Sequence, residues 1–178
     1  VHLVFKVQNT AHITHSGLPR MLWDELLAAI GDAPRITIIN ERFDRDEVFG
    51  LSLACDAFVS LHRSEGFGRN LTEAMSYGKP IISTNFSGSC EFINEITACP
   101  IDYRLIAVPD GAYPYSAGQY WAQPDVEQAA WAMRKLYEDD AFREEKGRAG
   151  RQFVRSKFNP RIVGERYRQR LEKINENR

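Results

Sequence analysis

The chain has 178 residues, of which 43% are hydrophobic and 26% charged, and its net charge is −1. A chain of this length buries roughly 70% of its unfolded surface, so we expect one soluble domain over residues 1–178 rather than disorder. The sequence has neither an apolar run of about 20 residues nor a recognisable signal segment, which favours a cytoplasmic protein. Three widely spaced cysteines, Cys55, Cys90 and Cys99, indicate reduced, mostly buried thiols and neither a disulfide framework nor a zinc site.

Strand-like and helix-like segments alternate along the chain, which predicts an α/β fold with a doubly wound parallel sheet. The predicted strands are 2–7, 35–39, 56–60 and 80–84, followed by strand-like segments near Cys99 and at 105–108. The predicted helices are 18–30, 44–55 with Asp44 as N-cap, one beginning at Asn70, 89–95, 125–137, and most of the remainder. Residues 109–124 are rich in Gly, Pro and Tyr and are expected to form one long loop.

The segment SEGFGRNLTEAMSYGKP, residues 64–80, contains the most informative motif. Gly66 and Gly68 allow positive φ and a close approach of the backbone to a ligand. The helix predicted to begin at Asn70 has amides without partners inside the helix, and such amides can receive an anion. Because the turn follows the carboxyl end of a parallel strand, where open α/β sheets bind ligands, we predict a site for a phosphorylated ligand.

The pattern E-G-F-G-x-x-x-x-E, followed by A-M-x-x-G-K-P-I-I, resembles the signature of the retaining, nucleotide-sugar-dependent glycosyltransferases of family 4, or group 1, which have GT-B architecture. The likeness extends upstream over Cys55–Ser60, where the family commonly has an Ala-Asp-x-x-Val run. Downstream, residues 85–92 stand where the family has Gly-Gly-x-x-Glu, with a single Gly88 in place of the glycine pair. The resemblance implies a Rossmann-like, donor-binding C-terminal domain.

The chemistry of such a transferase assigns a role to the helix start. As a nucleotide sugar reacts, negative charge grows on the leaving diphosphate while the anomeric carbon becomes cation-like. Backbone amides at a helix N-terminus stabilise that charge without a metal. We expect Asn70, Leu71 and Thr72 to be the amide donors, and we expect no metal or other cofactor.

The remaining roles concern the sugar and the nucleoside. The backbone of Gly66, Phe67 and Gly68 should lie against the sugar. By resemblance, Glu65 is the catalytic residue that contacts and orients the donor sugar, and Glu73 accepts hydrogen bonds from the ribose hydroxyls. For Arg69, one step from the helix start, a phosphate contact and a plain surface position are about equally weighted.

Structural alternatives exist for several of these residues. Asn70 and Glu73 also fit a capping box with Asn70 as N-cap, although the flanking motifs favour ribose binding. Phe67 is more easily explained as a plug beneath the turn than as a sugar-stacking ring. Gly78 fits a helix C-cap and Pro80 a helix stop, so both are assigned structural roles.

Other features are weighed in the same way. His12 and His15 form an H-x-x-H in which a solvated loop or a substrate contact is favoured over a metal site. Aromatic residues of the long loop either pin that loop or face the acceptor, and these are Tyr113, Tyr115, Tyr120 and Trp121. Helical spacing predicts that three further residues belong to the core, namely Trp131, Met133 and Leu136.

Positive charge is concentrated at the end of the chain, where residues 143–178 hold 12 Lys or Arg and 5 Asp or Glu. Solvated surface helices explain this simply, and a basic face toward anionic lipid or a lipid-linked acceptor is the sharper alternative. No aromatic platform accompanies the basic residues, so nucleic acid is not expected as a partner.

The resemblance implies transfer of a hexose-type sugar to a glycan or lipid-linked acceptor, and Asp102–Leu105 resembles bacterial enzymes of surface polysaccharide biosynthesis. It also implies a preceding Arg/Lys loop and an N-terminal acceptor domain, so we expect a truncated, donor-binding half that is inactive alone. One alternative is a non-catalytic nucleotide-sugar binding module. A dinucleotide-dependent oxidoreductase is disfavoured because no G-x-G-x-x-G follows the first strand.

Overall fold

The structure is a computed structural model that describes residues 1–7, 17–112 and 114–176, without the side chains of residues 17–22. The chain divides into two compact units. One contains Val1–Gly50 and Pro109–Ser116, and the other contains Leu51–Val108 and Ala117–Arg178. The expectation of a single domain over residues 1–178 stays a prediction.

The first unit contains a pair of parallel strands. Strand β1, Leu3–Val7, lies beside β2, Ile36–Asn40, with Leu3 opposite Ile36. Helix α1, Gly17–Ile30, lies between the two strands in sequence, as a parallel pair requires. These bounds agree with the predicted strand–helix–strand order.

Helix α2, Arg45–Ala54, begins with a reciprocal cap. The backbone N–H of Glu47 donates to Asp44 Oδ1 at 2.9 Å, and the backbone N–H of Asp44 donates to Glu47 Oε2 at 2.8 Å. Two amides at the helix end are thereby satisfied by two side chains. The predicted N-cap role of Asp44 is confirmed.

The second unit contains a three-stranded parallel sheet, which determines where the functional motif lies. Its strands are β3, Phe58–Ser60; β4, Ile81–Thr84; and β5, Cys99–Ile101, in the order β3–β4–β5. Helix α3, Arg69–Ser76, connects β3 to β4, and a 3₁₀ turn over Ser87–Glu91 follows β4. The parallel pairing confirms the predicted α/β fold class.

The central strand β4 is buried on both faces. Ile81 packs in one apolar cluster with Leu71, Met75 and Phe92, whereas Ile82 packs in another with residues of the helix over 126–138. Successive strand residues point to opposite faces, so these two isoleucines each anchor one layer. Helices therefore cover both faces of this sheet, as in doubly wound folds.

Part of the predicted long loop is a strand. Residues Tyr120–Pro124 form β7, which pairs antiparallel with β6, Tyr103–Ala107. The prediction of one loop over residues 109–124 is therefore wrong at its C-terminal end. Glycine and proline are concentrated before residue 119, and the aromatic pair Tyr120 and Trp121 instead has the β propensity of a strand.

The remaining helices are α4, Val126–Glu138; α5, Asp140–Lys157; and α6, Pro160–Glu176. Asp125 caps α4 by accepting the Gln128 amide, and Asp139 caps α5 by accepting the Phe142 amide, both at 2.9 Å. Among the residues described, no helix has both the length and the apolar character to cross a membrane.

The predicted core position of Trp131 is wrong. Trp131 is 56% exposed, because the core side of α4 is the stripe of Ala129, Ala132 and Leu136. Of the three residues predicted to be in the core, only Leu136 is buried, while Met133 is partly buried against the same cluster.

The prediction of mostly buried cysteines also needs correction. Cys90 is exposed, Cys55 is half-buried and Cys99 is buried, and all three are free. Burial raises the pKa of the Cys99 thiol.

Candidate functional site

The glycine turn connects the carboxyl end of β3 to the first turn of α3. Gly68 is the N-cap of α3 and has φ +89°, a conformation that L side chains rarely adopt. A Cβ at this position would also lie 2.9 Å from Leu71 Cδ1 and 3.2 Å from Phe92 Cζ. Gly66 does not have positive φ, so the expected left-handed conformation occurs at Gly68 and not at Gly66.

The capping-box alternative for Asn70 and Glu73 is wrong. Helix α3 begins at Arg69, so Asn70 is its second residue and not its N-cap. The N-cap Gly68 has no side chain, and no side-chain hydrogen bond caps this helix. Glu73 is therefore not used to close the helix end, which leaves its carboxylate available for another partner.

The set of free amides is shifted by one residue from the predicted set. The Thr72 amide donates to the Gly68 carbonyl at 3.1 Å, and Thr72 Oγ1 donates to the Arg69 carbonyl at 2.9 Å. Thr72 therefore cannot supply an amide to a phosphate, and that part of the prediction is wrong. The helical amides without a partner inside the helix are those of Arg69, Asn70 and Leu71.

An open pocket of about 270 Å³ lies at this helix start. Its lining brings together five of the nine predicted site residues, namely Glu65, Phe67, Gly68, Arg69 and Asn70. The side chain of Leu71 is buried in the core, so only its backbone can take part. Residues that carry free amides, a carboxylate and a guanidinium thus line one open pocket.

Phe67 supports the turn from below. Its ring lies edge-on to Phe92 and Phe158, with centroid distances of 5.5 and 5.4 Å. The side chain is nevertheless 37% exposed, because part of it borders the pocket. The packing agrees with the favoured role of Phe67 as a plug.

Arg69 and Glu73 lie on the same side of α3. Arg69 Nη2 is 3.6 Å from Glu73 Oε1, and the two side chains are 83% and 36% exposed. An exposed i,i+4 pair of this kind contributes little to stability, so a ligand can take either partner at small cost. A phosphate beside Arg69 and a hydroxyl beside Glu73 would be compatible with this arrangement.

Helix α3 is terminated at Gly78, as predicted. Gly78 has φ +77°, its amide donates to the Met75 carbonyl at 2.9 Å, and the Lys79 amide donates to the Ala74 carbonyl at 3.1 Å. This pair of bonds is the Schellman motif, with glycine at its left-handed position. The structural role predicted for Gly78 is confirmed.

Sequence reasoning missed a contact that holds Glu65 from the turn after the neighbouring strand β4. Ser87 Oγ and the Gly88 amide both donate to the Glu65 carbonyl, at 2.8 and 3.0 Å. A Cβ on Gly88 would lie only 1.8 Å from the Gly66 carbonyl oxygen. Gly88, singled out by the sequence only as a departure from a glycine pair, is therefore the residue that lets the two turns meet. His62, which no motif marked, also contacts the Ser87–Glu91 turn.

The other features predicted from the sequence have different outcomes. His12, His15 and Tyr113 lie outside the described residues. The Trp121 ring lies 4.8 Å from the Arg63 guanidinium, whereas Tyr120 is exposed. Within the described ranges, no three His, Cys, Asp or Glu side chains are grouped to hold a metal ion.

The site lies within a segment that matches a known family. Residues 33–98 match the sequence profile described as "Glycosyl transferases group 1". A comparison with curated proteins finds no match. The matched segment contains the glycine turn, α3 and the Ser87–Glu91 turn, which together form the pocket and its support.

Solved structures share the fold at low sequence identity. Anabaena HepE in complex with UDP-glucose is 16% identical with a TM-score of 0.62, over 86% of this chain and 36% of its own. Sucrose-phosphate synthase from Thermosynechococcus elongatus is 18% identical with a TM-score of 0.69, over 99% of this chain and 46% of its own.

A third structure is itself a single domain. The C-terminal domain of the group 1 glycosyl transferase LpcC from Francisella tularensis is 17% identical with a TM-score of 0.65, and the match covers 89% of this chain and 87% of that domain. The chain thus spans less than half of HepE and of the synthase, but most of the LpcC domain. It has the Rossmann-like fold of a GT-B C-terminal domain, and its segment 33–98 matches the group 1 glycosyltransferase family.

Proposed function

We propose that this chain binds the nucleotide-sugar donor of a glycosyltransferase that transfers a hexose-type sugar, with retention, to a glycan or lipid-linked acceptor. The observation that carries the proposal is the open pocket at the start of α3, which combines unpartnered helix amides with the Arg69 and Glu65 side chains. The match to group 1 glycosyltransferases over residues 33–98 supports the same activity. A role in bacterial surface polysaccharide biosynthesis, beside an acceptor domain, is part of this proposal.

The diphosphate of the donor is proposed to lie at the helix start. The amides of Arg69, Asn70 and Leu71 point out of the first turn, and the positive end of the helix dipole favours an anion there. Arg69 adds a mobile cation that can leave Glu73 and pair with a phosphate oxygen. These groups stabilise the charge of the departing diphosphate without needing a metal ion.

The two acids are proposed to divide the donor between them. Glu65 borders the pocket on the strand side, where its carboxylate would contact the sugar and orient the reacting carbon. Glu73 lies one helical turn beyond Arg69, where it would accept hydrogen bonds from the ribose hydroxyls. In this arrangement the sugar and the nucleoside lie on opposite sides of the diphosphate.

We expect Glu73→Ala to weaken UDP binding more than Glu65→Ala, because only Glu73 is assigned to the nucleotide half. The chain itself should bind UDP in the high-micromolar to millimolar range, or about −4 to −6 kcal/mol. UDP and UDP-glucose are suitable probes because HepE was crystallised with UDP-glucose. Titration calorimetry on the wild type and both variants gives the order of affinities directly.

The control is Glu144→Ala, which removes an exposed acid on α5 and should leave UDP binding unchanged. Repeating the wild-type titration with chelator and then with magnesium should give the same affinity. A larger loss for Glu65→Ala than for Glu73→Ala would contradict the proposed division. A strong loss on chelation would contradict the metal-free role of the helix amides.

We also propose that the basic helices contact an anionic membrane surface on the cytoplasmic side. Helix α6 exposes three apolar side chains along one side, namely Tyr167, Leu171 and Ile174. Its basic residues include Arg166 and Arg170, and residues 143–178 together carry a net charge of +7. A helix with apolar and basic sides is suited to lie in a membrane interface.

Sedimentation with vesicles should detect this contact at low salt. Each basic residue that reaches the surface adds about 1 kcal/mol, and screening at physiological ionic strength should remove most of the binding. The double variant Arg166→Ser and Arg170→Ser should sediment less than wild type, and neutral vesicles should bind neither. Equal sedimentation with anionic and neutral vesicles at low salt would leave these helices a packing role only.

A further inference from the structure

We propose that His62 is a positioning residue for the glycine turn that carries Glu65. It acts on that turn through the neighbouring Ser87–Glu91 turn. His62 lies in the loop between β3 and Glu65, and both ring nitrogens have partners. Nδ1 is 3.2 Å from Ser60 Oγ, and Nε2 is 3.2 Å from the Phe86 carbonyl oxygen and 3.3 Å from Ser89 Oγ. The ring thus joins the end of β3 to the Ser87–Glu91 turn.

The partners determine which ring nitrogen carries the proton. The Phe86 carbonyl only accepts, so Nε2 must donate to it. In the neutral ring Nδ1 then accepts the Ser60 hydroxyl proton, and the Ser89 hydroxyl is free to donate to the same Phe86 carbonyl at 3.2 Å. This tautomer satisfies every group in the cluster, including the hydroxyl of Ser89, which is fully buried.

The next residues of the same turn hold the donor site. Phe86 and Ser89 contact His62, while Ser87 and Gly88, between them, donate to the Glu65 carbonyl. Gly88 also packs directly on the Gly66 carbonyl. The connections form a closed loop that runs from β3 through His62 and the turn to Glu65. Loss of the imidazole would therefore loosen the backbone that carries the Glu65 carboxylate.

The consequence is specific to the sugar half of the site. Among the described residues, no hydrogen bond joins Glu73 or the first amides of α3 to this hydrogen-bonded loop, so UDP alone should bind His62 variants nearly as well as wild type. UDP-glucose should lose the extra affinity that depends on Glu65. This consequence rests on the proposed function, whereas the effect on the backbone does not.

The test compares His62→Ala with His62→Gln, whose amide N–H reaches about as far as Nε2. Amide hydrogen exchange at Gly88, followed by NMR on the full chain, reports the bond to Glu65. We expect roughly 5- to 10-fold faster exchange in His62→Ala, as for the loss of a hydrogen bond, and near wild-type exchange in His62→Gln. The control His2→Ala removes another bonded histidine, whose Nε2 lies 2.8 Å from Thr37 Oγ1, and should change nothing at Gly88.

Unchanged exchange at Gly88 in folded His62→Ala would overturn the proposal. Exchange that is equally fast in His62→Gln and His62→Ala would also overturn it. If His62→Ala does not fold, Ser60→Ala removes only the outer partner of the ring. In that variant faster Gly88 exchange supports the proposal and unchanged exchange overturns it. Titrations with UDP and UDP-glucose then separate the two proposals, because a wild type that binds neither probe contradicts the donor site while the exchange result still decides the role of His62.

Discussion

Gly88→Ala is expected to reduce UDP-glucose affinity at least about tenfold, which corresponds to about 1.4 kcal/mol. The added methyl would be placed 1.8 Å from the Gly66 carbonyl oxygen and 2.6 Å from its carbon. Both atoms are backbone, so no side-chain rotation can relieve the contact. The turns must separate, and the two hydrogen bonds to the Glu65 carbonyl are then lost or lengthened.

The matched control is Gly50→Ala in α2, where an added methyl meets no atom within 4 Å. That variant should bind UDP-glucose as wild type does and should be more stable by about 0.5–1 kcal/mol, since alanine favours a helix. Calorimetry with UDP-glucose and a urea unfolding curve for each variant separate lost binding from lost fold. Wild-type affinity in a folded Gly88→Ala variant would refute the proposed dependence of the donor site on this contact.

Local chemistry explains what the sequence predicted correctly. Asp44 and Asp125 were identified as helix starts because an acidic side chain can accept an amide hydrogen bond from the first turn. In both helices the donor amide is only three residues further along the chain. Gly78 was identified as a helix end because only glycine readily takes the left-handed angle of that motif. Interactions of this range are readable from a single sequence.

The start of α3 shows where local rules compete. Asn70 is a strong N-cap residue, and its spacing to Glu73 fits a capping box. The structure instead begins the helix after Gly68, whose φ of +89° turns the chain sharply out of the loop. As a result the set of available amides shifts by one residue: it loses Thr72 and gains Arg69. A one-residue error in a helix bound is thus a change in the proposed ligand contacts.

Non-local contacts explain the remainder. Strand β7 is held by pairing with β6, and Trp131 is exposed because the core needs only one side of α4. The bond from Ser87 to Glu65 spans 22 residues, and the contact of His62 with Phe86 spans 24. Sequence spacing carries no information about such distances, although Gly88 as a departure from a motif marked the right segment.

Gly147→Ala should lower the free energy of unfolding by about 1–3 kcal/mol, the range of overpacked cores. A methyl on Gly147, in α5, would lie 2.2 Å from the Gly78 carbonyl oxygen and 3.6 Å from Pro80 Cδ. The Gly78 carbonyl cannot move away easily, because the Schellman bonds at the end of α3 fix its position. Helix α5 must therefore move away from α3, and the packing around Met75 is lost with it.

The control for this variant is Gly164→Ala in α6, where an added methyl meets no atom within 4 Å. Alanine is favoured over glycine inside both helices by about 1 kcal/mol, so helix propensity alone predicts stabilisation at both positions. The two variants should therefore shift the urea midpoint in opposite directions with unchanged slopes. If Gly147→Ala were as stable as wild type or more so, the close approach of α5 to the Gly78 carbonyl would not exist in solution, because the helix-propensity gain of about 1 kcal/mol is too small to offset a contact of 2.2 Å with fixed backbone.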